Sequence, residues 1–102
     1  MLKKTKIICT QGPATERPGV VDALIANGMN CARFNFSHGD HAEHLNRINM
    51  VREAAKKSGK VISLILDTKG PEMRLGEFKD GKVMLEKGNK FTLTYEDIPG
   101  DE

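Results

Sequence analysis

Three polar side chains fall at alternate positions in one short and otherwise apolar segment. They are Arg33, Asn35 and Ser37, and the residues between them are Phe34 and Phe36. Because strand side chains alternate between two faces, a strand here places the guanidinium, amide and hydroxyl together on one face. Burial of unpaired polar groups costs free energy. An anion with its counter-cation would satisfy all three, so the spacing predicts an ionic site.

A second group of oxygen donors follows an apolar run at residues 61–66. Asp67 and Thr68 come directly after it and would join Asn35 and Ser37 if the two segments were neighbours. Such oxygen ligands suit a hard cation rather than zinc, and a single charge among them favours a monovalent ion. The alternative is that Asn35 and Ser37 cap a strand end, Asp67 caps a turn and Arg33 pairs with Asp67. The spacing alone leaves both interpretations open.

Hydrophobic patterning predicts the elements that position these residues. The expected order is a strand at 5–10, a helix between Pro18 and Gly28, a strand at 29–37, a helix between Asp40 and Gly59 and a strand at 61–66. Asp40 and Glu43 form a capping-box pattern. Apolar residues recur at helical spacing in the second helix: Leu45, Ile48, Val51, Ala54 and Ala55. The fold class is therefore α/β, with a parallel sheet whose functional residues gather at the carboxyl ends of the strands.

The pattern changes after Pro71. Three short strand candidates follow, at 72–78, 82–86 and 91–95, and Asp80 with Gly81 forms a hairpin signal between the first two. We therefore predict two domains, with residues 1–70 in the first and residues 71–102 in a separate β-rich unit.

The strand between the two helices, at 29–37, and the apolar strand at 61–66 are expected to be buried on both faces.

Composition limits the possible partners and compartment. The 102 residues carry a net charge of only +2, which indicates neither nucleic acid nor an anionic membrane as partner. No apolar stretch approaches the roughly 20 residues of a membrane-spanning helix, and Met1-Leu2-Lys3-Lys4 lacks the apolar core of a signal peptide. Cys9 and Cys31 are expected to be buried free thiols. These features predict a cytoplasmic protein.

Three histidines recur every third residue, at His38, His41 and His44. Steps of three on a helix drift by about 60° each, so the outer two do not converge on one metal ion. His41 and His44 are expected to be solvated.

The segments that carry the polar residues resemble the N-terminal region of pyruvate kinases. The resemblance rests on RFNFSHG at 33–39 and DTKGPEMR at 67–74, with further motifs at 5–7, 10–13 and 28–30 in the same order. It implies a (β/α)8 barrel interrupted after its third strand by a β-rich lid domain. Residues 1–70 would then supply the first three strands and two helices of the barrel, and residues 71–102 the beginning of the lid.

The resemblance also implies an activity and its cofactors. The reaction is phosphoryl transfer from phosphoenolpyruvate to ADP, giving pyruvate and ATP in glycolysis, with Mg²⁺ and K⁺. A homotetramer is implied for the full-length enzyme, with no nucleic-acid or membrane partner.

The resemblance assigns site roles only to residues of this chain that match the family's motifs. The resemblance implies that Arg33 is catalytic and binds the transferred phosphate of the substrate. K⁺ would be ligated by the side chains of Asn35, Ser37 and Asp67 and by the carbonyl of Thr68. The nucleotide would be contacted by Asn35, Phe36, Ser37, His38 and Arg74.

This chain departs from the family pattern at Gln11, Phe34 and Met73. Gln11 replaces an aliphatic residue and is expected near the rim of the site, whereas the other two are expected to be packing exchanges. The family's catalytic lysine and acidic Mg²⁺ ligands come from later strands, so the isolated 102-residue chain is expected to be inactive. Two alternatives stay open: a stand-alone phosphate- or nucleotide-binding module, and an inactive fragment that self-associates.

Overall fold

The computed structural model describes residues 3–101 of the chain. Met1 and Leu2, which begin the N-terminal segment considered above, and Glu102 lie outside the described residues. The chain divides into two units, Met1–Gly70 and Pro71–Glu102.

The first unit alternates strands and helices in the predicted order. Its elements are β1 (Ile8–Thr10), a 3-10 turn (Pro13–Thr15), α1 (Val20–Ala26), β2 (Cys31–Asn35), α2 (His41–Ser58) and β3 (Ser63–Asp67). All strand pairs are parallel, and β2 lies between β1 and β3. The predicted α/β class is confirmed, although β1 and β2 are shorter than the patterns indicated.

The predicted caps of α2 form as expected. The Asp40 side chain accepts a hydrogen bond from the Glu43 amide at 2.9 Å, and the Glu43 side chain accepts one from the Asp40 amide at 3.0 Å. The helix ends at Gly59, whose φ of 70° lies in the left-handed region that glycine adopts without strain. These local signals set the length of the helix.

Replacing Asp40 with alanine is expected to lower the free energy of unfolding by about 1 kcal/mol, because the first turn loses a side-chain acceptor. Urea denaturation of the full-length protein measures the change. Asp40→Asn, which keeps an acceptor oxygen, serves as the matched control. Equal losses for the two variants would contradict a capping role.

The core lies on one face of the sheet. Ala32 and Phe34 of β2 pack there with Ile25 of α1 and with Val51 and Ala54 of α2, so both helices cover the same face. The expectation that β2 is buried on both faces is therefore wrong within the described residues. Two right-handed crossovers in one direction place both helices on one side, which leaves the polar face of β2 half-buried.

The apolar strand β3 is also more open than predicted. Leu64 and Ile65 are each 37% exposed, and Leu66 is 54% exposed. β3 is an edge strand of the three-stranded sheet, and the described chain places no further strand beside it. An apolar run indicates that a strand is suited to burial, but the cover itself must come from another element.

The buried stripe of α2 differs from the predicted one. Leu45 is 56% exposed, whereas His44 and Arg47 are buried together with Val51 and Ala54. Arg47 lies four residues before Val51, and His44 lies three residues before Arg47. Helical geometry therefore places this pair on the same buried face as Val51 and Ala54. Among the described residues, no helix combines the length and apolar character needed to cross a membrane.

The second unit does not form the three predicted strands. Residues 71–101 contain only an isolated bridge between Phe78 and Gly100 as strand-like pairing. The turn at Asp80-Gly81 does form, with the Gly81 amide donating to the Phe78 carbonyl at 2.9 Å. Its flanking segments do not pair, and Met73, Met84 and Tyr95 are exposed. Short strands without a covered apolar face gain too little burial to offset the entropy of ordering them.

Candidate functional site

The strand register brings four polar side chains onto one face of the sheet. Thr10 is the parallel partner of Arg33, and Asn35 is the partner of Asp67. Arg33 and Asn35 are two residues apart, so all four side chains share the face opposite the helices. Thr10, Asn35 and Asp67 end their strands, where parallel sheets place functional groups, and Arg33 lies one step back on the same face.

Arg33 is held by both neighbouring strands. Its Nε donates to Asp67 Oδ2 at 2.9 Å, its Nη2 forms an ion pair with the same oxygen, and its Nη1 donates to Thr10 Oγ1 at 3.2 Å. The pairing that the sequence left open as an alternative is therefore present. Since both bonds to Asp67 end on Oδ2, the other carboxylate oxygen remains for a cation, so the ion pair and the cation site are compatible.

The solvent access of this ion pair limits its role in stability. The Arg33 and Asp67 side chains are 33% and 44% exposed, and pairs of that kind contribute only about 0–1 kcal/mol. The pair instead fixes the plane and direction of the guanidinium. A guanidinium has five N–H donors, and the bonds to Asp67 and Thr10 use three of them. Two donors are left to bind an anion, and this geometry suits a phosphate or carboxylate.

The polar residues after β2 lie in a turn and not in the strand. β2 ends at Asn35, so the prediction that Ser37 continues the strand face is wrong. The Asn35 side chain accepts a hydrogen bond from the Ser37 amide at 3.1 Å and thereby turns the chain. The Phe36 amide donates to the Asp67 carbonyl at 2.9 Å, which joins this turn to the end of β3. Asn35 therefore lies beside Asp67 through strand register, whereas Ser37 follows in the turn that the Phe36 amide ties to the end of β3.

The chemistry of these donors fits K⁺ and does not fit Mg²⁺. Asn35, Ser37, Asp67 and Thr68 offer an amide oxygen, a hydroxyl, one carboxylate and a carbonyl, a set of low total charge. Mg²⁺ in proteins is bound by carboxylates together with substrate phosphates. The described part of the chain holds no group of three or more His, Cys, Asp or Glu side chains placed to bind a metal ion.

The structure brings most of the predicted nucleotide-contacting residues into one turn. Asn35, Phe36, Ser37 and His38 are consecutive, and the His38 amide donates back to the Asn35 carbonyl at 3.3 Å. Phe36 is half-buried and packs against the core, whereas His38 is exposed.

Arg74 belongs to the second unit. Its Nε and Nη2 each donate to a carboxylate oxygen of Glu72 at 2.9 Å, which makes a two-bond ion pair. These hydrogen bonds, and then the negative charge of Glu72, raise the pKa of Arg74 above its usual value. An arginine guanidinium is charged throughout the physiological pH range without this shift, so Glu72 does not alter its charge there.

Two polar residues of α2 were missed as parts of this region. His44, which was predicted to be solvated, is 3% exposed and stacks on Phe36. Arg47 is 7% exposed, and its Nε donates to Glu16 Oε1 at 2.6 Å, which ties α2 to the segment after β1. The signal that could have found them is their spacing from Val51 and Ala54 on one helix face.

The structure also shows the surroundings of Gln11. Gln11 is buried, and its backbone amide donates to the Arg33 carbonyl at 2.8 Å. Its side-chain amide donates to the Cys9 carbonyl at 3.0 Å and lies 3.8 Å from the sulfur of Met29. Cys9 is half-buried and Cys31 is buried, and both are free thiols.

Known proteins resemble this chain in sequence. Pyruvate kinase of Staphylococcus saprophyticus is 50% identical over 99 residues, which cover 97% of this chain and 17% of that protein. Pyruvate kinase of Staphylococcus haemolyticus is 47% identical over 114 residues, which cover 98% of this chain and 20% of that protein. The chain therefore spans about a fifth of the length of these curated relatives.

Solved structures and a family model give the same result. The crystal structure of Cryptosporidium parvum pyruvate kinase matches with a TM-score of 0.73 and 48% identity, over 78% of this chain and 16% of that one. The family model described as the barrel domain of pyruvate kinase matches residues 2–101. A match over nearly all of the sequence, together with the parallel sheet and its polar carboxyl-end face, establishes that the chain belongs to the pyruvate kinase family.

Proposed function

We propose that this chain forms part of a pyruvate kinase that transfers the phosphoryl group of phosphoenolpyruvate to ADP, giving pyruvate and ATP. The observation that carries the proposal is the guanidinium of Arg33, which is oriented by Asp67 and Thr10 and retains two N–H donors at the carboxyl end of the sheet. Phosphoryl transfer is catalysed mainly by positioning and by neutralisation of charge.

Arg33 binds the phosphate that is transferred. Asp67 holds the guanidinium from one side, so its free donors need no rearrangement when the phosphate arrives. A planar fork also matches two phosphate oxygens at once, which a lysine ammonium does not do. The contribution of this chain to the reaction is therefore pre-organised electrostatic stabilisation.

K⁺ is held by the side chains of Asn35, Ser37 and Asp67 and by the Thr68 carbonyl in this proposal. When bound, it supplies positive charge beside the phosphate that Arg33 contacts. The donor set on this chain does not suit Mg²⁺, so its ligands come from other parts of the full-length enzyme and from the substrates.

The nucleotide is contacted by the turn from Asn35 to His38 and by Arg74, whose charge persists at all physiological pH values. In the same proposal, residues 1–70 begin a (β/α)8 barrel and residues 71–102 begin its lid domain. The full-length enzyme is a cytoplasmic, glycolytic homotetramer, and the isolated chain has no activity.

The test is the cation dependence of the full-length protein. We expect ATP formation from phosphoenolpyruvate and ADP in a K⁺ buffer and little in a tetramethylammonium buffer. Asp67→Asn keeps an oxygen ligand but removes the only charge of the cation site. It should raise the K⁺ concentration for half-activation by about tenfold or more, on the order of the 1.4 kcal/mol that corresponds to one factor of ten.

Asp22→Asn provides the matched control, because Asp22 lies on α1 in an exposed ion pair with Lys57. Its K⁺ dependence should equal that of the unaltered protein. Absence of ATP formation in K⁺ would refute the proposed activity, and equal K⁺ dependence for Asp67→Asn and Asp22→Asn would refute the proposed cation site. The isolated chain, assayed in parallel, should form no ATP.

A further inference from the structure

A single buried ring contacts two residues of the turn that joins β2 to α2. His44 lies in the first turn of α2 and is 3% exposed. Its ring stacks on Phe36 with centroids 4.2 Å apart and planes 11° apart, and its Nε2 lies 2.6 Å from the His38 carbonyl oxygen. Stacking and a hydrogen bond from one side chain therefore restrain both ends of residues 36–38.

The hydrogen bond determines which nitrogen of His44 carries the proton. A carbonyl oxygen only accepts, so Nε2 is the donor. Nδ1 is buried and has no hydrogen-bond partner among the described protein atoms. A proton on Nδ1 would be a buried donor without an acceptor, so the tautomer with its proton on Nε2 is the one that fits.

The turn is closely packed against the start of α2. Gly39 has a φ of 73°, and a Cβ atom there would lie 2.7 Å from Glu43 Oε2 and 3.3 Å from His44 Nε2. The same Cβ would lie 3.5 Å from Nη1 of Arg47, which is itself anchored to Glu16. Glycine therefore lets the backbone approach the helix closely enough for the His44 bond to form.

We infer that His44 is a positioning residue for nucleotide binding, acting through the backbone at His38 and the ring of Phe36. This inference rests on the proposed function, in which Asn35, Phe36, Ser37 and His38 contact the nucleotide. His44 does not touch the reacting groups. It holds the turn in one conformation, so that the nucleotide does not have to order the turn when it binds.

If His44 only packs in the core, its replacement has different consequences from those of a residue that positions the turn. Two substitutions separate these two roles. His44→Phe keeps an aromatic ring for Phe36 and removes the unpaired Nδ1, but it cannot donate to His38. His44→Gln can place an amide donor near the Nε2 position, but it loses the ring. If the ring only fills space, the phenylalanine variant should behave better in every measurement.

The experiment uses the full-length protein and compares these variants with Arg52→Ala, a control at an exposed arginine later in α2. We expect His44→Phe to raise the KM for ADP about fivefold, the factor that corresponds to one hydrogen bond, with the KM for phosphoenolpyruvate within twofold. His44→Gln should restore part of the ADP affinity although it melts at a lower temperature than His44→Phe. Arg52→Ala should change neither KM by more than twofold.

Hydrogen exchange of the peptide containing residues 36–40 gives a readout that needs no activity. Faster exchange in His44→Phe than in the unaltered protein is expected. Unchanged exchange overturns the inference whether or not the enzyme is active, and so does an unchanged KM for ADP in an active enzyme. A full-length protein that forms no ATP refutes the proposed function, whereas the exchange result still decides whether His44 holds the turn.

Discussion

Replacing Arg33 with alanine in the full-length protein is expected to lower kcat for ATP formation at least about 100-fold. Removal of one pre-organised charge-stabilising donor costs a factor of this size or more in other enzymes. The Arg33 guanidinium is fixed by Asp67 and Thr10 before substrate arrives, so its loss removes a contact that the protein has already oriented. The assay couples pyruvate formation to NADH oxidation at saturating ADP and K⁺.

Arg33→Lys separates charge from geometry. Lysine keeps the positive charge but loses the planar fork, and it cannot bond Asp67 and Thr10 while presenting two parallel donors to a phosphate. We therefore expect a loss of activity smaller than that of Arg33→Ala, but still at least about tenfold.

Arg52→Ala, an exposed arginine of α2, is the control and should be within twofold of the unaltered protein. An Arg33→Ala variant with an unchanged turnover would show that the site has been assigned to the wrong residue. Melting temperatures accompany the kinetics, because the Arg33–Asp67 pair is half-exposed and its loss should change stability little.

Replacing Phe34 with alanine is expected to lower the free energy of unfolding of the first unit by about 3–5 kcal/mol. Phe34 is 1% exposed and lies on the covered face of β2, where it packs in the cluster formed with α1 and α2. Truncation removes apolar contacts and leaves a cavity, because β2 is held by a strand on each side and cannot collapse inward.

Phe34→Met is the matched variant and should cost less than about 1.5 kcal/mol, since it conserves most of the volume. Urea denaturation of the full-length protein, followed by circular dichroism, measures both changes. Equal losses in the two variants would contradict the packing role of Phe34. Activity measured below the unfolding transition should fall far less in Phe34→Ala than in Arg33→Ala, because Phe34 lies on the opposite face from the site.

Local signals in the sequence predicted where α2 begins and ends better than they predicted which of its residues are buried. Asp40, Glu43 and Gly59 delimit α2 because caps act through bonds between residues a few positions apart. Residue polarity predicts that Leu45 is buried and His44 is solvated, and the structure shows the opposite. Residue type alone does not decide which helix face is buried, because the orientation of α2 is set by Val51 and Ala54 against β2.

The strand candidates after Pro71 failed for a related reason. Period and turn residues indicated strands, and the turn at Gly81 did form. A strand, however, also needs a hydrogen-bonded neighbour and a covered face, and the described residues of the second unit supply neither. β3 forms because β2 pairs with it, although much of its apolar surface remains exposed.

The sequence by itself determined the element order of the first unit, the caps of α2 and the motifs that carry the family resemblance. These depend on neighbouring residues or on residue identity. Only the tertiary structure decided that Arg33 bonds Asp67 and Thr10, that Ser37 lies in a turn and that His44 restrains that turn. Such contacts depend on strand register and on the packing of a helix against a sheet, both of which are set by residues far apart in the chain.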